Sequence, residues 1–151
     1  MNIMTIIAIV FIDFMSKFAA VRLLEGMQPI VIIKRVISLE YVENTGAAFG
    51  ILKGKSYYLG WFSIALCAAM LIFMLIVKSK NPRKKIFVNS IAMIIGGALA
   101  NGIERLYHEY VIDFFKLTFI NFPVFNMADV FITVGTFLFC LNLLFDRKIK
   151  L

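Results

Sequence analysis

Residues Tyr57–Val77 read YYLGWFSIALCAAMLIFMLIV, without a single Asp, Glu, Lys or Arg, and run directly into the basic segment Lys78-Ser79-Lys80-Asn81-Pro82-Arg83-Lys84-Lys85. About 20 consecutive apolar residues are what a helix needs to cross the hydrocarbon core of a bilayer. Working outward, three further stretches meet that requirement: Ile3–Leu24, Ile86–Arg105 and Asn126–Phe145. The first contains Asp13 and Lys17, but Met1–Thr5 carries no Lys or Arg and no small-residue cleavage site follows, so it reads as a retained helix and not as a signal peptide. Four spans are expected, at about 3–24, 57–77, 86–105 and 126–145.

Composition agrees. The 151 residues are 62% hydrophobic and 17% charged, with mean hydropathy +0.91. A soluble domain averages about 45–50% apolar and about 25% charged residues. A chain of this size has too little interior to hide the excess from water. A soluble globular enzyme, a disordered chain and a disulfide scaffold are thereby excluded. The expectation is an all-α membrane protein, residues 1–151 forming one domain.

Basic residues near span ends set orientation. Lys78–Lys85 carries five positive charges and no acid, and the tail adds Arg147, Lys148 and Lys150. With four spans, both termini share the side of that loop, the cytoplasm, and Glu25–Ser56 and Leu106–Phe125 face outward. Within the first outer segment, Ile30–Ile33 and Val36–Val42 are rich in β-branched residues and flank Lys34-Arg35, as a hairpin or small sheet would. The net charge of +7 does not imply nucleic acid, because the basic residues sit in short segments between apolar runs with no basic groove interleaved with aromatics. Cys67 and Cys140 lie mid-run as small hydrophobes, and a lone His108 without a Cys/His cluster argues against a metal site.

Charged side chains in a bilayer are costly, so each calls for a reason. Asp13 and Lys17 stand four apart on one helical face and can pair, either to fix helix packing or to position a substrate. In Gly96-Gly97-Ala98-Leu99-Ala100-Asn101-Gly102-Ile103-Glu104-Arg105, small residues recur at four-residue spacing, which lets backbones approach closely. Asn101, Glu104 and Arg105 at its outer end suit a polar network, although an interfacial arginine that snorkels to the headgroups fits as well. Glu43-Asn44-Thr45-Gly46-Ala47-Ala48-Phe49-Gly50 reads as a turn with Gly46 at positive φ, or as a segment offering backbone groups to an extended peptide. Asp113, within Val111-Ile112-Asp113-Phe114-Phe115, and Asp129, within Phe125-Asn126-Met127-Ala128-Asp129, both fall near the outer boundary. Asn126 resembles an N-cap, which gives Asp129 an ordinary first-turn role. Asp113, among Val, Ile and Phe, has no comparable structural reason. Two carboxyls meeting in a low dielectric share one proton, the arrangement by which one carboxylate activates water while its protonated partner donates to a carbonyl oxygen.

Taken in order, Asp13–Lys17, Asn44–Gly50, Gly96–Arg105 and Val111–Phe114 followed by Phe125–Asp129 resemble the lipoprotein signal peptidase (signal peptidase II) family of membrane aspartic peptidases over nearly the whole chain. The resemblance implies four transmembrane helices, a small extracytoplasmic β-cradle and a short surface helix. It assigns Asp113 and Asp129 as the catalytic pair, and Asn44, Gly46, Asn101, Arg105, Asn126 and Ala128 as substrate-binding or supporting residues. Asp13 and Lys17 become a structural ion pair. It further implies a multi-pass bacterial cell-membrane enzyme, active as a monomer without metal or cofactor. Such an enzyme removes signal peptides from prolipoproteins just before a diacylglyceryl-modified cysteine, and globomycin blocks it. Two positions depart from the family's usual Gly-Gly-Ala-x-Gly-Asn-x-x-Asp-Arg: Ala100 stands for Gly and Glu104 for Asp, while Gly102 replaces a larger apolar residue. Two readings from other classes stand beside this one. A small proton-coupled transporter would place its key acid near a helix midpoint, and an assembly subunit would need only the glycine-rich packing.

Overall fold

The computed structural model describes residues 2–47, 51–80 and 82–145. Four long helices, α1 (Asn2–Leu24), α2 (Ser56–Lys80), α3 (Lys85–His108) and α4 (Met127–Phe145), alternate with three strands, β1 (Ile30–Ile33), β2 (Ile37–Asn44) and β3 (Val111–Leu117). Each helix is long and apolar enough to span a bilayer. The strands and their connections leave from the C-termini of α1 and α3 and the N-termini of α2 and α4, so they gather at one end of the bundle. At the other end, Asn2 Nδ2 donates to Asn89 Oδ1 at 2.7 Å and ties the starts of α1 and α3 together.

The α3 helix is the centre. Its most apolar window is 61% buried, against 28% or less for the other three helices, and it packs on all of them. The small residues explain how. A Cβ on Gly96 would lie 2.9 Å from Ile9 of α1, one on Gly97 would meet the carbonyl of Ala128 and Ile132 of α4, and one on Gly102 would lie 3.0 Å from Ser63 of α2. Three glycines therefore face three neighbours, each bringing a partner helix to backbone range. Around them Phe87, Ile91, Met74 and Val77 form the apolar core at the end away from the sheet.

The sheet is antiparallel in the order β1-β2-β3. The hairpin lies where the β-branched runs predict it, with Arg35 in its turn at φ 62°. The third strand is a finding: residues 111–115 read only as an apolar stretch, because the partner that makes them a strand lies two helices earlier in the chain. A register irregularity between Leu39 and Val42 places Val42 opposite Asp113 and Asn44 opposite Val111. Phe125 then pairs with Phe115 through Phe115 N–H to Phe125 O (2.8 Å) and Phe125 N–H to Phe115 O (3.0 Å).

Other details correct the sequence reading. The basic stretch is shared between helix ends, since α2 runs to Lys80 and α3 begins at Lys85. Gly46 does not adopt positive φ; its lack of a side chain is needed because a Cβ would sit 2.7 Å from the Ile51 carbonyl. The surface helix implied by the resemblance has no counterpart among the described residues, where 51–54 form turns. Ala48–Gly50 and the basic tail 146–151 lie outside the described residues. Cys67 is buried and donates to the Ile95 carbonyl (3.7 Å), whereas Cys140 is exposed.

Gly97→Leu should push α4 off α3. Overpacking of this kind costs about 1–3 kcal/mol, and the thermal unfolding midpoint of the purified chain in detergent should fall accordingly; an unchanged midpoint would contradict this account of the α3–α4 contact.

Candidate active site

Backbone pairing brings the two aspartates together. Asp113 sits on β3, and the Phe115–Phe125 bridge returns the chain beside it just before α4 begins. Asn126 then caps α4 reciprocally with Asp129: Asp129 N–H donates to Asn126 Oδ1 (3.0 Å) and Asn126 N–H donates to Asp129 Oδ2 (3.1 Å). This is a capping box with aspartate in place of the usual Glu or Gln. The Asn126 side chain is fully buried and its Nδ2 donates to Asp113 Oδ1 at 2.6 Å and to Asn101 Oδ1 at 3.2 Å. One residue thus holds both carboxyls, one through its backbone and the other through its side chain.

The remaining oxygens are also occupied. Asn44, diagonal to Asp113 across the β2–β3 pair, donates from Nδ2 to Asp113 Oδ2 at 2.9 Å. Asn101 on α3 donates from Nδ2 to Asp129 Oδ1 at 2.9 Å. Asp113 is 2% exposed. Burial, reinforced by the charge of Asp129, pushes its carboxyl from 3.8 up to about 7, against the opposing effect of the Asn44 and Asn126 hydrogen bonds.

Behind this pair lies an ionic layer. Lys17 Nζ meets Asp13 Oδ2 at 2.8 Å, Glu104 Oε2 at 2.5 Å and Asn101 Oδ1 at 2.8 Å. Asp13 Oδ1 accepts the Ala128 N–H at 2.8 Å, and Glu104 Oε1 accepts the Ile112 N–H at 3.2 Å. The expected Asp13–Lys17 pair is therefore present but is more than mutual neutralisation, because it grips the first turn of α4 and the residue preceding Asp113. Glu104 pairs with Lys17 and not with Arg105, a partner that the sequence does not reveal because it lies on another helix. Ala128 is fully buried with the Gly97 backbone against it, which leaves no room for a larger side chain.

Arg105 donates from Nη2 to the Gly46 carbonyl (3.2 Å) and from Nη1 to the Asn101 carbonyl at 3.5 Å. Gly46 N–H binds Asn44 Oδ1 (3.0 Å), Ala47 N–H binds the Ile51 carbonyl (2.7 Å) and Gly54 N–H binds the Thr45 carbonyl (3.1 Å). The turn is thus held by its own bonds, and these backbone groups are not free for a peptide. Asp113 and Asp129 share a cavity of about 420 Å³ with Asn44, Asn101, Arg105 and Asn126. On its other side Asp113 lines an adjoining cleft between Asn44–Ala47 and Asn121–Val124. The wall formed by Phe122, Pro123 and Val124 went unread in the sequence, where nothing but an apolar loop marks it. Among the described residues no three His, Cys, Asp or Glu side chains cluster to hold a metal.

Four helices long enough to span a bilayer, with a buried Asp113 and a half-buried Asp129 on one cavity at one bundle end, define a multi-pass membrane protein with a polar site. Comparison with known proteins narrows the class. A family model described as Signal peptidase (SPase) II matches residues 5–145, and the chain belongs to that family. A lipoprotein signal peptidase of Clostridium tetani is 38% identical over 158 residues, covering 99% of both chains. That of Clostridium acetobutylicum is 34% identical over 153 residues, covering 98% of this chain and 97% of its own. A bacterial membrane enzyme structure obtained by the in meso method at 1.9 Å superposes with a TM-score of 0.82 at 27% identity, covering 97% of this chain and 94% of that one.

Lys17→Met would leave the buried Asp13 carboxyl and the largely covered Glu104 carboxyl without their cation. Breaking a buried pair this way costs about 3–5 kcal/mol, so chemical unfolding in detergent should show a loss of that size; a loss under about 1 kcal/mol, the range of an exposed pair, would contradict the assignment.

Proposed function

We propose that this chain is an aspartic endopeptidase that removes the signal peptide from diacylglyceryl-modified prolipoproteins, cleaving just before the lipidated cysteine, with Asp113 and Asp129 as its catalytic pair. Membership of the signal peptidase II family makes the chain a peptidase; the aspartic chemistry is the further step. The observation that carries it is the joining of Asp113 and Asp129 through Asn126 at one cavity. The transporter reading finds no support in the two clostridial relatives, both lipoprotein signal peptidases.

In this reading the pair holds one proton. The ionised carboxyl takes a proton from water as the water oxygen attacks the scissile carbonyl, and the protonated carboxyl hydrogen-bonds the developing oxyanion. As the C–N bond breaks, the leaving amine takes a proton from the pair. The products are the signal peptide, with a new carboxylate, and the lipoprotein, with a free N-terminal cysteine amine. Asn44, Asn101 and Asn126 fix the carboxyl planes, Ala128 gives its N–H to Asp13, and Gly46 allows the close turn. Arg105 pins that turn. Nothing metallic or organic is required beyond these side chains.

The substrate arrives laterally, its acyl chains in the bilayer and its cleavage site at the outer boundary. The basic residues Lys78, Lys80, Arg83, Lys84 and Lys85 support a cytoplasmic location for that end, with both termini inside and the aspartates at the extracytoplasmic face. Both acids and all their amide donors come from one chain, so a monomer suffices. Globomycin is expected to occupy the same cavity.

Asp113→Asn and Asp129→Asn should each lower the cleavage rate of a lipidated precursor peptide by about 10²–10⁴-fold, the usual contribution of positioned acid–base groups, while the protein still inserts into membranes; near-normal cleavage by either would overturn the pair. Because Asp113 gives up its proton as pH rises through about 7, activity should decline on that alkaline side. It should also decline in acid, once both carboxyls are protonated and no base remains, with apparent values that belong to the pair. A rate that keeps rising through neutral pH would contradict a shared proton.

A further inference from the structure

The opposite side of α3 carries a second cavity of about 400 Å³ that has no residue in common with the aspartate cavity. One wall is a stripe of α1, Val10, Phe14, Phe18 and Val21; the other is Ile103 and Tyr107 of α3. These walls do not close on protein: Phe14 is 65% exposed and Tyr107 83%. Asp13, Lys17 and Glu104, the ionic layer behind the aspartates, form the floor.

Length and charge identify what fills it. From Val10 to Val21 the stripe runs about 16 Å at 1.5 Å per residue, half of a hydrocarbon core about 30 Å thick, so it is as long as one leaflet is deep. At its sheet-side end Arg22 holds its guanidinium 5.0 Å from the centre of the Phe18 ring, and His108 lines the rim. A cation at the interface above an apolar trough one leaflet deep complements a lipid with an acyl chain below and a phosphate above. We propose that this groove binds a phospholipid from the leaflet on the sheet side, one acyl chain lying along the α1 stripe and its phosphate meeting Arg22. A diacylglyceryl-modified peptide is disfavoured as the occupant, because the groove shares no residue with the aspartate cavity and such a lipid brings no phosphate to Arg22. The bound chain lies over the Lys17–Glu104 pair on the groove's floor.

Native mass spectrometry of the full chain, released from micelles containing phosphatidylglycerol or phosphatidylcholine, tests this. One phosphatidylglycerol adduct should persist. Ile103→Trp, which fills the trough, should reduce the bound fraction at least about fivefold. Arg22→Gln, at an exposed position, should reduce the preference for phosphatidylglycerol over phosphatidylcholine by about fivefold, the scale of one basic residue's attraction. If the variants retain lipid and headgroup preference like the parent chain, or if an equimolar diacylglyceryl-cysteine peptide displaces the phospholipid, the proposal is overturned.

Discussion

Two carboxyls can be held close together in a poorly solvated place only if each has its own hydrogen-bond donors, and here Asn126 serves both. Its backbone N–H binds Asp129, its side-chain amide binds Asp113, and its side-chain oxygen caps the helix on which Asp129 stands. A buried acceptor without a partner costs about 1–3 kcal/mol, so these bonds determine where both acids can be. Asn44 and Asn101 supply the second donor to each carboxyl. The two carboxyls are therefore held by neutral amides, which add no opposing charge beside them.

That arrangement depends on the architecture around it. The central helix α3 brings its small faces to three partners, and its outer turn delivers Asn101, Glu104 and Arg105 to three different tasks. Lys17 is buried and surrounded by Asp13, Glu104 and Asn101. Through Asp13 to the Ala128 N–H and Glu104 to the Ile112 N–H, this one cation holds the two segments that carry the aspartates. Packing, ion pairing and site geometry are thus one connected structure.

Much of this was legible in the sequence, for physical reasons. Spans announce themselves because hydrocarbon tolerates few charges, so the helices lie within a few residues of where hydropathy puts them. Asp113 stood out because it interrupts an apolar run, and Asn126 because a polar residue three before an acid is a helix start. What lay hidden was non-local. Nothing in Val111–Leu117 reveals that β2 is its partner, nothing in Glu104 points to Lys17, and the Phe115–Phe125 bridge that closes the site is a backbone contact any residue can make. Gly46 shows the same limit: its need was visible, but the reason proved to be the nearby Ile51 carbonyl and not its φ.

In the proposed function, Asp113 and Asp129 hold one proton between them near neutral pH. Carbon-13 NMR of the full chain in micelles, with aspartate carboxyls labelled and each assigned by its Asn variant, reads this directly. Asp113 and Asp129 should titrate together, with one step near pH 7. Independent titration of both carboxyls in the ordinary range of exposed aspartates would contradict it.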